Sequence, residues 1–402
     1  MGLHEPVADW TTDFDHTDDA YAANPFPIWD ELRGTCPVAR TERYNGAWLP
    51  TRHEDIAAIA YDTERFTSRS IVMSEFRPPM ELAPAGIAPP ISSDPPFHKG
   101  ARRLLLPAFA PQAIEKLEPK TRAYCWELVE QLKASGSDVV DAAIGYTQHI
   151  PVRVIANMLG LPEEDADRFR GFVNHVLEGV DKPMEERGLG MMELFEYIKA
   201  QVEDHVENPR DDLISYLLES ELDGEKLDWF HVGRTVGLLL IAGIDTTWSA
   251  IGASIWHLAG HRSDLERLVA EPELLPTAME EFLRAYAPVT MARLVREDID
   301  FNGCPMKAED FVLLPFPAAN RDPAMFDRAD EVIIDREENR HAAFGLGIHR
   351  CAGSHLARME MRVALEVWLE AFPSFELADP AKVRWSGGQV RGPRELPVRI
   401  VR

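Results

Sequence analysis

Apolar residues recur along this chain mostly at the three-to-four spacing of a buried helix face, and only briefly in the alternation of a half-buried strand. From Pro111 to about His205 the pattern is helix after helix, clearest over Leu117 to Leu132 and Ile150 to Leu159. Pro162-Glu163-Glu164 starts another helix, Asp181-Lys182-Pro183 breaks the run, and Leu194, Ile198 and Val202 resume it. Asp228 to about Ala259 reads as one long helix with a strongly apolar middle, hence a core helix. A last long helix sets Leu356, Met359, Val363 and Val367 on one face. Arg52 to Ala60 reads as a short helix.

Strand signals are fewer. Ala47 to Thr51 follows the Tyr44-Asn45-Gly46 turn, Pro288 to Arg293 is extended, and Phe311 to Phe316 and Val398 to Val401 are short apolar runs. The prediction is a mainly α protein with a small β-rich lobe, formed as one domain over residues 1–402. The lobe is expected from 1–66 and from the segments around 289–316 and 385–402. Ile71 to Ile91 is Pro-rich and has no sustained period. So long a stretch without a period, inside a compact domain, reads as a lid or binding loop, with Met73, Phe76, Ile87 and Ala88 as ligand-facing candidates.

Composition narrows the classes. With 402 residues, 45% apolar and 27% charged, the chain is ordinary for a globular protein with a large core. A formal charge of −25 argues against a nucleic-acid binder, which carries a basic stripe. No window reaches the roughly 18 consecutive apolar residues of a membrane helix. The start, Met1-Gly2-Leu3-His4-Glu5-Pro6, has no basic or apolar leader region, so a soluble cytoplasmic protein is expected. Cys36, Cys125, Cys304 and Cys351 are scattered with no C-x-x-C pair, which fits a reducing compartment.

The chemistry concentrates at Phe344-Gly345-Leu346-Gly347-Ile348-His349-Arg350-Cys351-Ala352-Gly353. The glycines permit a tight loop, and Cys351 falls where that loop meets a helix start, a setting expected to depress its pKa and give a thiolate. With no second cysteine or histidine at zinc spacing, the leading metal is one whose other ligands are not protein, haem iron. In the long helix, Ala242-Gly243-Ile244-Asp245-Thr246-Thr247 sets an acid and two hydroxyls in an apolar run, beside small residues that leave room for a flat cofactor. His98 and Arg102 are four apart on one helical face, both able to donate to a carboxylate, behind Asp94 as the expected N-cap. Glu281 and Arg284 sit at i,i+3.

These segments resemble the cytochrome P450 family. Residues 344–353 match its F-x-x-G-x-(H/R)-x-C-x-G signature, 242–247 its (A/G)-G-x-(D/E)-T-T motif, and His98/Arg102 its H-x-x-x-R pair. Glu281/Arg284 match its E-x-x-R pair, and the resemblance extends over nearly the whole chain. It implies the family's triangular-prism fold and haem b (iron protoporphyrin IX), with Cys351 as iron ligand and Phe344 and Ala242 beside the macrocycle. His98, Arg102, Arg293 and His349 would bind its propionates, Asp245 and Thr246 would relay protons for O–O cleavage, and Glu281, Arg284 and Arg336 would fix the fold.

The implied activity is a monooxygenase acting with O2 as a monomer. Electrons would come from a separate ferredoxin and ferredoxin reductase, because the chain has no flavin or iron–sulfur domain. Lys99 and Arg103, turned away from the His98 face, would lie where the acidic partner docks. The expected pocket residues, Phe76, Ile87, Leu238, Ala242, Val289 and Thr290, include no charged anchor. That favours a small neutral hydrophobic substrate, a terpenoid or phenolic ether, undergoing hydroxylation or O-dealkylation. A peroxide-driven peroxygenase and a non-enzymatic haem-thiolate gas sensor are the alternatives, and the intact Asp245/Thr246 pair argues against both.

Overall fold

The computed structural model describes residues 4–178 and 184–401, so the break expected at Asp181-Lys182-Pro183 lies outside the described residues. Its axis is the helix Trp229–Gly260, capped at its start by Asp228, whose carboxylate accepts the His231 N–H. The most apolar window of this helix would be long enough to cross a membrane, but 72% of that window is buried inside the protein, as in a core helix. The helices His149–Leu159, Met184–Glu207 and Ser354–Ala371 pack around it. Gly243 makes one of these approaches close, since a Cβ there would stand 3.0 Å from Ile155. The helix Ser354–Ala371 buries Leu356, Met359, Val363 and Val367, the predicted face, largely against Glu118–Ala134.

The small lobe is a five-stranded sheet in the order Val38–Thr41, Ala47–Pro50, Phe311–Pro315, Thr290–Val295, Phe66–Thr67. All neighbours are antiparallel except Ala47–Pro50 beside Phe311–Pro315. The pleat sorts its side chains: Trp48, Val312 and Leu314 join one core with Ile56 and Ile59, while Leu49, Phe311 and Leu313 join another on the opposite face. Met73 belongs to that second core, so it is a packing residue and not the ligand-facing one expected.

Two further expectations fail. The C-terminal strand Pro397–Ile400 does not join the small lobe; it pairs with Val139–Asp141 and Phe375–Leu377. Val398 is held there because it packs with Val140 and Phe375 in the large helical core. Asp94 is not the cap of its helix either, which runs Phe97–Leu105 with Pro96 in the cap position. Its carboxylate is taken by the Ser68 N–H at 3.0 Å, the Thr67 hydroxyl and Arg296 at 2.7 Å.

Candidate active site

The Cys351 loop is shaped by its glycines. Gly345 and Gly347 have φ of +73° and +69°, and a Cβ on Gly347 would lie 2.5 Å from the Ala60 carbonyl oxygen. Only glycine satisfies both demands at position 347. The loop closes where the Cys351 N–H donates to the Phe344 carbonyl at 2.7 Å. Beneath it, Arg358 lies 4.3 Å from the Phe344 ring centre and pairs with Glu280 at 2.6 Å. Cys351 then stands on the wall of a cavity of about 490 Å³, so the surface it exposes faces that cavity. Burial pushes its thiol pKa up, more than the Gly353 N–H and the charges of Arg102, Arg358 and Arg350 pull it down. The expected depressed pKa is therefore not a property of the loop and helix start alone. Metal coordination is what deprotonates such a thiol.

One end of the cavity gathers basic groups. Arg102, Arg293 and His349 are on its wall, and His98 stands behind His349 with the ring centres 4.4 Å apart, edge to face. Burial holds His98 near pKa 4, with Arg102 and Arg293 adding to the effect, and lowers Arg293 to about 10. Burial also drives His349 down to about 2, helped by Arg293, His98 and Arg102, while its Nε2 contacts the Ser68 hydroxyl at 2.9 Å. The buried Nε2 of His98 has no hydrogen-bond partner, and no Asp or Glu lines the cavity among the described residues. Arg102 and Arg293 each donate to one backbone carbonyl, of Arg350 and of Ala292, and have no carboxylate on the cavity wall, so the group fits a ligand that carries its own carboxylates. A flat metal macrocycle with two of them, on the Cys351 side of the cavity, matches this donor set.

Ala242, Gly243, Thr246 and Thr247 line the same cavity from the long helix. Thr246 donates its hydroxyl proton to the Ala242 carbonyl at 2.9 Å. Asp245 points the other way, is fully buried, and meets Arg394 at 2.6 Å. Arg394 also donates to Ser249 at 3.0 Å and lies 4.4 Å from the Trp248 ring centre. The hairpin strand Pro393–Glu395 comes this close because Gly392 abuts Ser249 and Pro393 abuts Gly252, where a Cβ would stand 2.3 Å and 2.8 Å from those neighbours. Arg394 lies 149 residues along the chain from Asp245, and sequence reading missed it.

Of the expected pocket residues, Ile87, Leu238, Ala242 and Val289 line the cavity. Phe76 and Thr290 do not. Phe76 is 46% exposed on the outer surface of its loop. Thr290 has the wrong parity: Val289, Met291 and Arg293 face the cavity, so Thr290 and Ala292 face away. Met291 is thus a wall residue that sequence reading overlooked. So are Arg234 and Lys199, which contradict the expectation of a wall without charge apart from the presumed propionate donors. Arg234 had a legible signal, because 234, 238, 242 and 246 form one stripe at helical spacing.

A family model described as Cytochrome P450 matches residues 167–384. The chain belongs to the cytochrome P450 family. It is 36% identical over 379 residues to the mycinamicin IV hydroxylase/epoxidase of Micromonospora griseorubida, covering 92% of this chain and 94% of that protein. The solved structure of the bacillaene polyketide synthase cytochrome P450 PksS of Bacillus subtilis superposes with a TM-score of 0.87 at 31% identity, covering 97% of this chain and all of that one. A Bacillus megaterium P450 solved with testosterone, CYP109E1, gives 0.87 at 31% identity over 95% of this chain and 99% of its own. This P450 is accordingly a haem b monooxygenase with the family's helical fold.

Proposed function

We propose that this P450 transfers one oxygen atom of O2 to a hydrophobic substrate held between Cys351 and the long helix, by hydroxylation or O-dealkylation. A single observation carries the reading: Cys351 and Thr246 of the long helix line one apolar cavity. The haem, when bound, supplies the O2 chemistry, and the protein supplies position, dryness and protons. Cys351 is the protein ligand to iron, while Arg102, Arg293 and His349, backed by His98, hold the propionates. Phe344 and Ala242, both on the cavity wall, would contact the macrocycle.

Thr246 presents a hydroxyl at the cavity surface, and Asp245 holds a carboxylate one residue away, outside the cavity and beside Arg394. That arrangement suits a relay in which Asp245 exchanges protons on its outer side and Thr246 delivers them to the cavity. Electrons come from a separate ferredoxin and reductase, docking near the exposed Lys99 and Arg103 of the helix Phe97–Leu105. The protein works as a cytoplasmic monomer. The body of the substrate is a terpenoid or phenolic ether, matched to walls made of Ile71, Ile87, Leu238, Val289 and Met291.

A reduced carbon-monoxide difference spectrum tests the reading, followed by titration with terpenes and phenolic ethers. A long-wavelength Soret band of the thiolate kind and a high-spin shift with one compound class are expected. A band at the histidine-ligated position in fresh protein, or no haem uptake, would overturn it.

A further inference from the structure

The same cavity has a second charged feature that the haem does not use. We propose that the substrate carries a carboxylate at the end remote from Cys351, and that Arg234 binds it. The proposal rests on reading this cavity as the P450 substrate pocket.

Five basic side chains line the cavity among the described residues, and no acid does, in a chain whose net charge is −25. Arg102, Arg293 and His349 stand together at the end assigned to the propionates. Of the other two, Lys199 is paired with Glu203 at 3.0 Å. Arg234 has no carboxylate within 4.0 Å among the described residues. Its Nη1 donates to the Gly86 carbonyl at 2.8 Å, which fixes the group against the Pro-rich loop. Its Nε is buried with no partner, and its guanidinium lies 4.5 Å from the Phe230 ring centre. Asp228, one helical turn and a half earlier, is already engaged in capping the His231 N–H. Burial lowers the Arg234 pKa, and the charge of Asp228 offsets only part of that.

Position sets the substrate's dimensions. Arg234 precedes Ala242 by eight residues on the same stripe, hence about 12 Å along the helix from the residue facing the oxidising centre. Phe195, Trp229 and Phe230 make the wall around it aromatic. One planar guanidinium in an apolar wall matches one planar carboxylate, with two parallel hydrogen bonds. The substrate is then a hydrophobic body, such as a terpenoid or aryl ether, that ends in an acid at the Arg234 end of the cavity.

The test uses haem-loaded protein and ω-phenylalkanoic acids of graded chain length, each paired with its methyl ester. High-spin shift titrations and calorimetry give the two dissociation constants. The wild type is expected to bind its best acid at least about tenfold more tightly than the matching ester. Arg234→Ala and Arg234→Gln should bring that ratio to about one, the second while keeping a donor to Gly86; Arg234→Lys should retain part of it. Equal affinity for acid and ester in the wild type, a ratio unchanged in Arg234→Ala, or no binding by any member of the series would overturn the proposal. The carbon-monoxide band keeps the failures apart. Its absence from the wild type removes the P450 reading of the cavity, and its presence with a flat acid/ester ratio removes only the anchor.

Discussion

Replacing Glu281 with alanine should destabilise this P450 by an amount the local geometry sets. The Glu281 carboxylate is fully buried and accepts five hydrogen bonds: two from Arg284 at 2.8 Å, one from the Ile333 N–H at 2.8 Å, one from Arg336 at 3.0 Å and one from Asn339 at 3.1 Å. Arg284 also donates to the carbonyls of Asn320, Ala329 and Glu331, so it cannot follow a lost partner out to water. The substitution leaves two guanidinium groups facing an empty site. Breaking one buried pair costs about 3–5 kcal/mol. With an unfolding entropy of about 2.1 cal/mol/K per residue, a 402-residue chain loses roughly 1.2 °C of Tm per kcal/mol, so a fall of about 4–6 °C is expected. Thermal melts followed by far-UV circular dichroism, at matched haem content, measure it. The double replacement Glu281→Leu/Arg284→Met should fall less than Glu281→Ala, because it removes charge along with its partner. A fall below about 1 °C for the single variant would refute the reasoning that this carboxylate ties three segments together.

Arg394→Ala should slow turnover about tenfold or more and raise the solvent isotope effect, with the carbon-monoxide band and substrate spin shift retained; unchanged kinetics would mean that Arg394 only packs. Gly347→Ala should cost about 1–3 kcal/mol and lower haem content per chain, because a side chain is forced into a positive φ against the Ala60 carbonyl; full haem loading would contradict it. Glu280 gives a pH prediction. Burial raises its pKa, but hydrogen bonds from Arg358 and His341 win and hold it at about 2. The ionised form is favoured on folding, so its stabilisation is present above the ordinary value of 4.5 and is lost as pH falls towards 2. Urea melts across that window should lose a stability slope in Glu280→Gln, and a slope identical to wild type would show that the pair contributes nothing.

Most of the helical architecture was legible because periodicity is a local signal. The faces of Trp229–Gly260 and Ser354–Ala371 could be read from spacing alone, and the glycines of the Cys351 loop announced its conformation. What failed was non-local. Pro397–Ile400 looks like any short apolar strand, and only its partner at Val139–Asp141 decides which core it joins. Thr290 failed on parity, since a register one residue off puts a side chain on the other face of the sheet. Asp94 has the composition of a cap, but three donors far from its own helix compete for its carboxylate. Arg394 had no signal near Asp245 at all, whereas Arg234 lay on a readable stripe and was hidden by the apolar character of its helix.

The separation of charge in this protein has a kinetic consequence. Its net charge is −25, yet the described wall of its cavity carries bases and no acids. An anion therefore meets repulsion on approach and attraction once inside, and the two act over different distances. At physiological ionic strength screening reaches about 8 Å, so added salt relieves the outer repulsion well before it reaches a contact between buried groups. Entry of an acid should accelerate with salt over a range in which its escape barely changes. A neutral molecule of the same shape should feel neither effect, so the surface would work as a salt-tuned barrier and the interior as a trap.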